Sequence, residues 1–81
     1  MRRTAREALN ELRWREPGRF SDAVLWYADR ARPEGYRLIR GSEIIDLERR
    51  YFTTAGARLP FYKILRIECV GEILFIRRTT R

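Results

Sequence analysis

Ile64-Leu65-Arg66-Ile67-Glu68-Cys69-Val70-Gly71-Glu72-Ile73-Leu74-Phe75-Ile76-Arg77-Arg78 is the most strongly patterned stretch of the chain. Two runs rich in β-branched and aromatic residues meet at a single glycine, the pattern of a β-hairpin. Side chains alternate across a strand, so Leu65, Ile67 and Cys69 are expected on one face, with Ile64, Arg66, Glu68 and Val70 on the other. A slip of one residue would expose the first set and bury Arg66 and Glu68, so the register is firmly set. The second run is apolar on both faces at its centre and is expected inside the sheet, not at its edge.

Moving toward the N-terminus, Ala23-Val24-Leu25-Trp26-Tyr27-Ala28-Asp29 and Tyr36 to Arg40 read as a second hairpin, closed by turn chemistry at Arg32-Pro33-Glu34-Gly35. Between the hairpins, Glu43 to Arg50 has two readings. Ser42 can cap a short helix holding Ile44, Ile45 and Leu47, or the chain can bend into a strand through Tyr51-Phe52-Thr53-Thr54. The second is favoured, with a turn at Ala55-Gly56-Ala57.

At the start, Thr4 with Glu7 three residues later has the spacing of a capping box, and Ala5, Ala8, Leu9 and Leu12 make one narrow apolar stripe. A helix over Ala5 to Trp14 is predicted, with Arg6, Asn10 and Arg13 facing water and Pro17-Gly18 stopping it. The expectation is an α+β fold: an N-terminal helix packed on an antiparallel sheet of about five short strands, two layers in a single domain over residues 1–81, with 78–81 a frayed tail.

Composition narrows the function. Hydrophobic residues make up 44% of the 81, enough for a folded core. Lys and Arg total 18 against 11 Asp and Glu, a net charge of +7, and every cation but Lys63 is an arginine. There is no histidine, which removes His-based general bases, Ser-His-Asp systems and histidine metal sites from this chain. The lone Cys69 cannot make an internal disulfide or a multi-cysteine zinc site, and a buried core thiol is its expected role. No cofactor is expected. No apolar run approaches the length of a membrane span, and the Arg-rich start carries Glu7 and Glu11, unlike a transit peptide. A cytoplasmic location follows as the expectation.

Arginine forks onto phosphate oxygens and stacks on bases, and here it is interleaved with aromatics: Arg13-Trp14-Arg15, Arg19-Phe20, Tyr36-Arg37 and Arg49-Arg50-Tyr51-Phe52. No helix carries a dense basic face, so single-stranded RNA or an RNA end suits the pattern better than a duplex. The plain alternative is that many arginines pair with the eleven carboxylates and reflect base composition or heat adaptation. Glu68 and Glu72 are expected to pair with Arg66 or Arg77, and Glu43 with Asp46 to form a solvated face rather than a cation site.

Ser21-Asp22-Ala23-Val24-Leu25-Trp26-Tyr27-Ala28-Asp29-Arg30 resembles the Tyr-x-Asp-Arg strand of the RNA cyclic group end recognition domain family, small and mostly archaeal. Leu59-Pro60-Phe61-Tyr62-Lys63-Ile64, leading into the last hairpin, resembles its Ile-Pro-x-His-Arg-Ile signature, with Tyr62-Lys63 in place of His-Arg. The opening helix ending in Trp14 and Gly41-Ser42-Glu43-Ile44 also match. The resemblance implies recognition of RNA ends bearing a 2′,3′-cyclic phosphate, with Tyr27, Asp29, Arg30, Pro60, Tyr62 and Lys63 at the matching positions. On that basis Arg30 and Lys63 would hold the phosphate, Tyr62 would hydrogen-bond it, Asp29 would orient Arg30, and Tyr27 or Tyr36 would stack on the terminal base, with Arg40 a further basic contact. The departure at Tyr62-Lys63 removes proton transfer and bidentate geometry, so binding without catalysis is the expectation. The alternative is a protein-interaction module or small subunit of an RNA-processing assembly, motivated by Trp14, Trp26 and Phe61 as surface aromatics.

Overall fold

In the computed structural model, which describes residues 3–77, two helices precede seven strands: α1 (Ala5–Arg15), α2 (Pro17–Asp22), β1 (Val24–Ala28), β2 (Tyr36–Arg40), β3 (Asp46–Leu47), β4 (Tyr51–Thr54), β5 (Ala57–Pro60), β6 (Ile64–Cys69) and β7 (Glu72–Ile76). The class is α+β, as expected. The expected frayed tail, 78–81, lies outside the described residues.

The capping box forms as its spacing requires. The Glu7 N–H donates to Thr4 Oγ1 at 3.1 Å, and the Thr4 N–H donates to Glu7 Oε1 at 2.9 Å. Ala5, Ala8, Leu9 and Leu12 are all buried, so the narrow stripe is the face that packs. Pro17 ends α1 but also opens α2, a second helix that the sequence reading does not include. Proline lacks only an N–H that a first helical turn leaves free anyway. Gly41 then begins a 3-10 turn so close to α2 that a Cβ there would lie 1.7 Å from the Phe20 carbonyl oxygen.

The strands number seven rather than about five, and they form two antiparallel sheets, ordered β2-β1-β6-β7 and β3-β4-β5. Glu43 to Arg50 bends into the short β3, so the strand reading of that stretch holds. Two expectations for the last hairpin are corrected. The β7 strand lies at the sheet edge among the described residues, with β1 and β6 inside. Its Leu74 and Phe75 pack on the core while Ile73 and Ile76 remain more than half exposed, so its apolar character on both faces does not mark burial on both.

The second correction concerns the face of Ile64. Trp26 opposes Arg66 but Tyr27 opposes Ile64, so Leu65 is an extra residue in a β-bulge. The bulge turns Ile64 inward beside Ile67 and Cys69, all three buried, and leaves Leu65 half-buried. A strict period of two cannot anticipate that change of phase.

One core joins both sheets to the helices. Phe52 of β4 is fully buried between Tyr27, whose ring meets it edge-on at 6.0 Å, and Phe61, at 5.6 Å. No helix among the described residues is long and apolar enough to cross a membrane.

Candidate functional site

Four segments frame an open cleft of about 1000 Å³: the start of α1, residues 49–50, the 3-10 turn Phe61–Lys63, and β7. Its floor is apolar, from Phe61, Ile73, Leu74, Phe75 and Ile76, and its walls carry Arg3, Arg6, Arg49, Arg50, Arg77 and Tyr62. Among the described residues, no carboxylate lines it. The segments are held by hydrogen bonds to backbone carbonyls. Arg6 Nε donates to Glu48 O at 2.8 Å, tying α1 to the segment that carries Arg49 and Arg50. The Phe61 N–H donates to Arg50 O at 3.1 Å. Arg77 donates from Nε to Ile64 O at 2.9 Å and from an Nη to Phe61 O at 3.4 Å, bracing the turn that presents Tyr62.

This mode of attachment decides the electrostatics. A carbonyl accepts a hydrogen bond without cancelling a guanidinium's charge, so Arg6 and Arg77 remain net cations in a shared concavity, where their fields add. Arg49 and Arg50 have no carboxylate within ion-pair distance among the described residues. By contrast, Arg3 pairs with Glu11, Arg13 with Asp46, Arg15 with Glu11, Arg19 with Glu16 and Glu72, Arg32 with Asp29, Arg58 with Glu48, and Arg66 with Glu68. The ion-pairing explanation of the arginine excess therefore accounts for Arg3, Arg13, Arg15, Arg19, Arg32, Arg58 and Arg66, but at the cleft it covers Arg3 alone and leaves Arg6, Arg49, Arg50 and Arg77 unexplained. A second hollow, of about 160 Å³, sets Glu11, Glu16 and Glu72 among Arg3, Arg15 and Arg19, and there the charges balance.

Most of the residues singled out from the sequence gather at one end of the large sheet. Tyr27 opposes Arg37 and Ile64, Ala28 opposes Tyr36, and the Arg77 N–H donates to Leu65 O. The ends carrying Asp29-Arg30, Tyr36, Tyr62-Lys63 and Arg77 therefore coincide. Tyr62 is 69% exposed on the cleft wall, and Lys63 and Arg30 are exposed. Tyr27 is buried, with Arg37 5.6 Å from its ring centre, so Tyr36 is the more open ring of the two. Burial pushes the Tyr27 phenol above its ordinary pKa, Arg37 opposes the shift, and nearby Tyr62 and Asp29 add to it. The Asp29 carboxylate accepts from the Ala31 N–H at 3.0 Å and faces Arg32 at 3.7 Å, with no bond to Arg30. Arg40 stands at the opposite end of the sheet, across from Val24.

The cleft residues Arg6, Arg49, Arg50 and Arg77 are the ones sequence reasoning did not assign. Arg6 was expected to face water and is half-buried. Arg49-Arg50 was visible as a basic pair beside Tyr51-Phe52, but nothing in local spacing brings residues 6, 50 and 77 together. Elsewhere, Cys69 is a buried thiol donating to Arg19 O at 3.2 Å. Glu43 Oε2 accepts from the Arg40 N–H at 3.0 Å. No cluster of three metal-ligating side chains occurs among the described residues.

Fold and site together define a small α+β domain with a cationic cleft over an apolar floor. Over 57 residues, 70% of this chain and 77% of the other, the sequence is 32% identical to the UPF0248 protein MK0350 of the archaeon Methanopyrus kandleri. The chain belongs to the UPF0248 family. No protein-family model matches it, and no solved structure matches it.

Proposed function

We propose that this protein is a non-catalytic RNA-binding domain that captures a phosphorylated RNA end, including a 2′,3′-cyclic phosphate. One observation carries the reading: the cleft sets the guanidiniums of Arg6, Arg49, Arg50 and Arg77 over an apolar floor, with no carboxylate in its lining among the described residues. Such a site offers charge to phosphate oxygens and apolar surface to a base or ribose. Tyr62, on the wall, donates to the terminal phosphate, with Lys63 and Arg30 adding charge from the same end of the sheet. The resemblance to the RNA cyclic group end recognition domain family at Tyr27 to Arg30 and Pro60 to Ile64 supports the cyclic-phosphate form. With no histidine in the chain, the role assigned is holding the end rather than turning it over.

The test is a titration of matched short RNAs ending in a cyclic phosphate or in free hydroxyls, at each of two salt concentrations. The cyclic end is expected to bind about tenfold tighter, the worth of one charge-assisted hydrogen bond. Equal affinities at both salts would remove end recognition and leave general RNA binding standing.

Trp14, 86% exposed beyond the packed stripe of α1, favours a second reading as a protein-interaction module. Phe61, expected to share that role, is buried. A partner retained after nuclease treatment, and lost in Trp14→Ser, would support it.

A further inference from the structure

The helices and the small sheet cover one face of the four-stranded sheet, where Leu25, Ile39, Ile64 and Ile67 are buried in the common core. Among the described residues, nothing covers the other face. Across it, strand pairing aligns Ile76 with Arg66, Arg66 with Trp26, and Trp26 with Leu38 in a single cross-strand row. Three strand spacings of about 4.8 Å make that row roughly 14 Å long. Ile76 and Leu38 at its ends are 56% and 54% exposed, and the Arg66 guanidinium lies 4.9 Å from the centre of the half-buried Trp26 ring.

We propose that this open sheet face is a single-strand RNA track that receives the bases preceding the captured end. The proposal rests on the cleft reading above and extends it. Three features favour RNA as the occupant. The row is continuous with the cleft, because Ile76 and Ile73 of β7 line the cleft while standing on the open face. Its centre is a guanidinium plane on an indole, and both kinds of surface accept stacked bases whatever their sequence. Its charge is also right: the neighbouring row places Arg40 on the same face, and the single carboxylate among its strand residues, Glu68, is already engaged by Arg66. A second copy of a chain with net charge +7 would bring like charge against this face. The length of the row suits two or three stacked bases, the number a four-stranded RNA-binding sheet holds.

The experiment compares a cyclic-phosphate-ended dinucleotide with hexanucleotides bearing either the same end or free hydroxyls, using wild-type protein, Leu38→Asp and Arg50→Glu. Leu38 is exposed at a sheet edge, so Leu38→Asp is expected to fold, and circular dichroism checks this. Wild type should bind the hexanucleotide at least tenfold tighter than the dinucleotide. Leu38→Asp should lose that gain and keep its dinucleotide affinity, whereas Arg50→Glu should weaken both. In a Trp14→Phe background the hexanucleotide, but not the dinucleotide, should quench Trp26 fluorescence. Length-independent affinity, or a length gain unchanged in Leu38→Asp, would overturn the track. A hexanucleotide that binds through Leu38 whatever its end would keep the track and overturn end capture. Binding of neither RNA, with a protein partner lost in Leu38→Asp, would overturn both.

Discussion

Arg66 and Trp26 oppose each other on β6 and β1, with the guanidinium 4.9 Å from the centre of the indole ring. The same guanidinium pairs with Glu68, which is largely screened from solvent, and its Nε is buried without a partner. Arg66→Ala should cost about 1–2 kcal/mol in urea denaturation, through loss of the cation–π contact and a half-buried Glu68 left without its cation. Arg66→Lys should recover less than half, because an ammonium lacks the planar face that covers the ring.

Gly41 sets a second prediction. Since a Cβ there would lie 1.7 Å from a backbone oxygen of Phe20, Gly41→Ala must separate α2 from the 3-10 turn that begins at Gly41. A loss of about 3 kcal/mol is expected, at the upper end for overpacking, and thermal melting reads it. Gly56→Ala has open space around the new methyl and should stay within about 0.5 kcal/mol of wild type.

The pH dependence follows from Tyr27. Burial raises its phenol pKa in the folded state above the ordinary 10.0, so the folded chain holds that proton after the unfolded chain has released it. The stability linked to this group is complete below about pH 10 and is lost as pH climbs through the folded-state pKa. Denaturant midpoints between pH 9 and 11 should therefore fall in wild type and fall less steeply in Tyr27→Phe. Equal slopes in the two proteins would contradict the assignment.

How much of this was readable in the sequence depends on the range of the interaction. The capping box of Thr4 and Glu7, the stripe through Leu9 and Leu12, and both hairpins rest on contacts within a few residues, and each formed as the pattern implies. Position within the sheet did not, because β7 is apolar on both faces yet lies at the edge. The bulge at Leu65 was equally hidden, since its cause is the pairing with β1. The candidate site divides the same way. Tyr62 was reached through its local motif, whereas Arg6, Arg50 and Arg77 meet only after α1, β4 and β7 have packed.

Arg49→Ser should leave stability within about 0.5 kcal/mol, because its exposed guanidinium has no carboxylate partner among the described residues. It should lower the salt dependence of RNA binding by about one unit of log–log slope, the mark of one lost phosphate contact. Arg15→Ser, which removes a guanidinium paired with Glu11 at 3.6 Å, should leave that slope unchanged.

The most direct measurement is nuclear magnetic resonance mapping of backbone amides and arginine Nε–H groups during titration with a short RNA ending in a 2′,3′-cyclic phosphate. The largest shifts are predicted at Arg6, Arg49, Arg50, Tyr62 and Arg77, around the cleft. Shifts spread evenly over the surface, or centred on the paired arginines Arg15, Arg19 and Arg58, would contradict the cleft as the binding site.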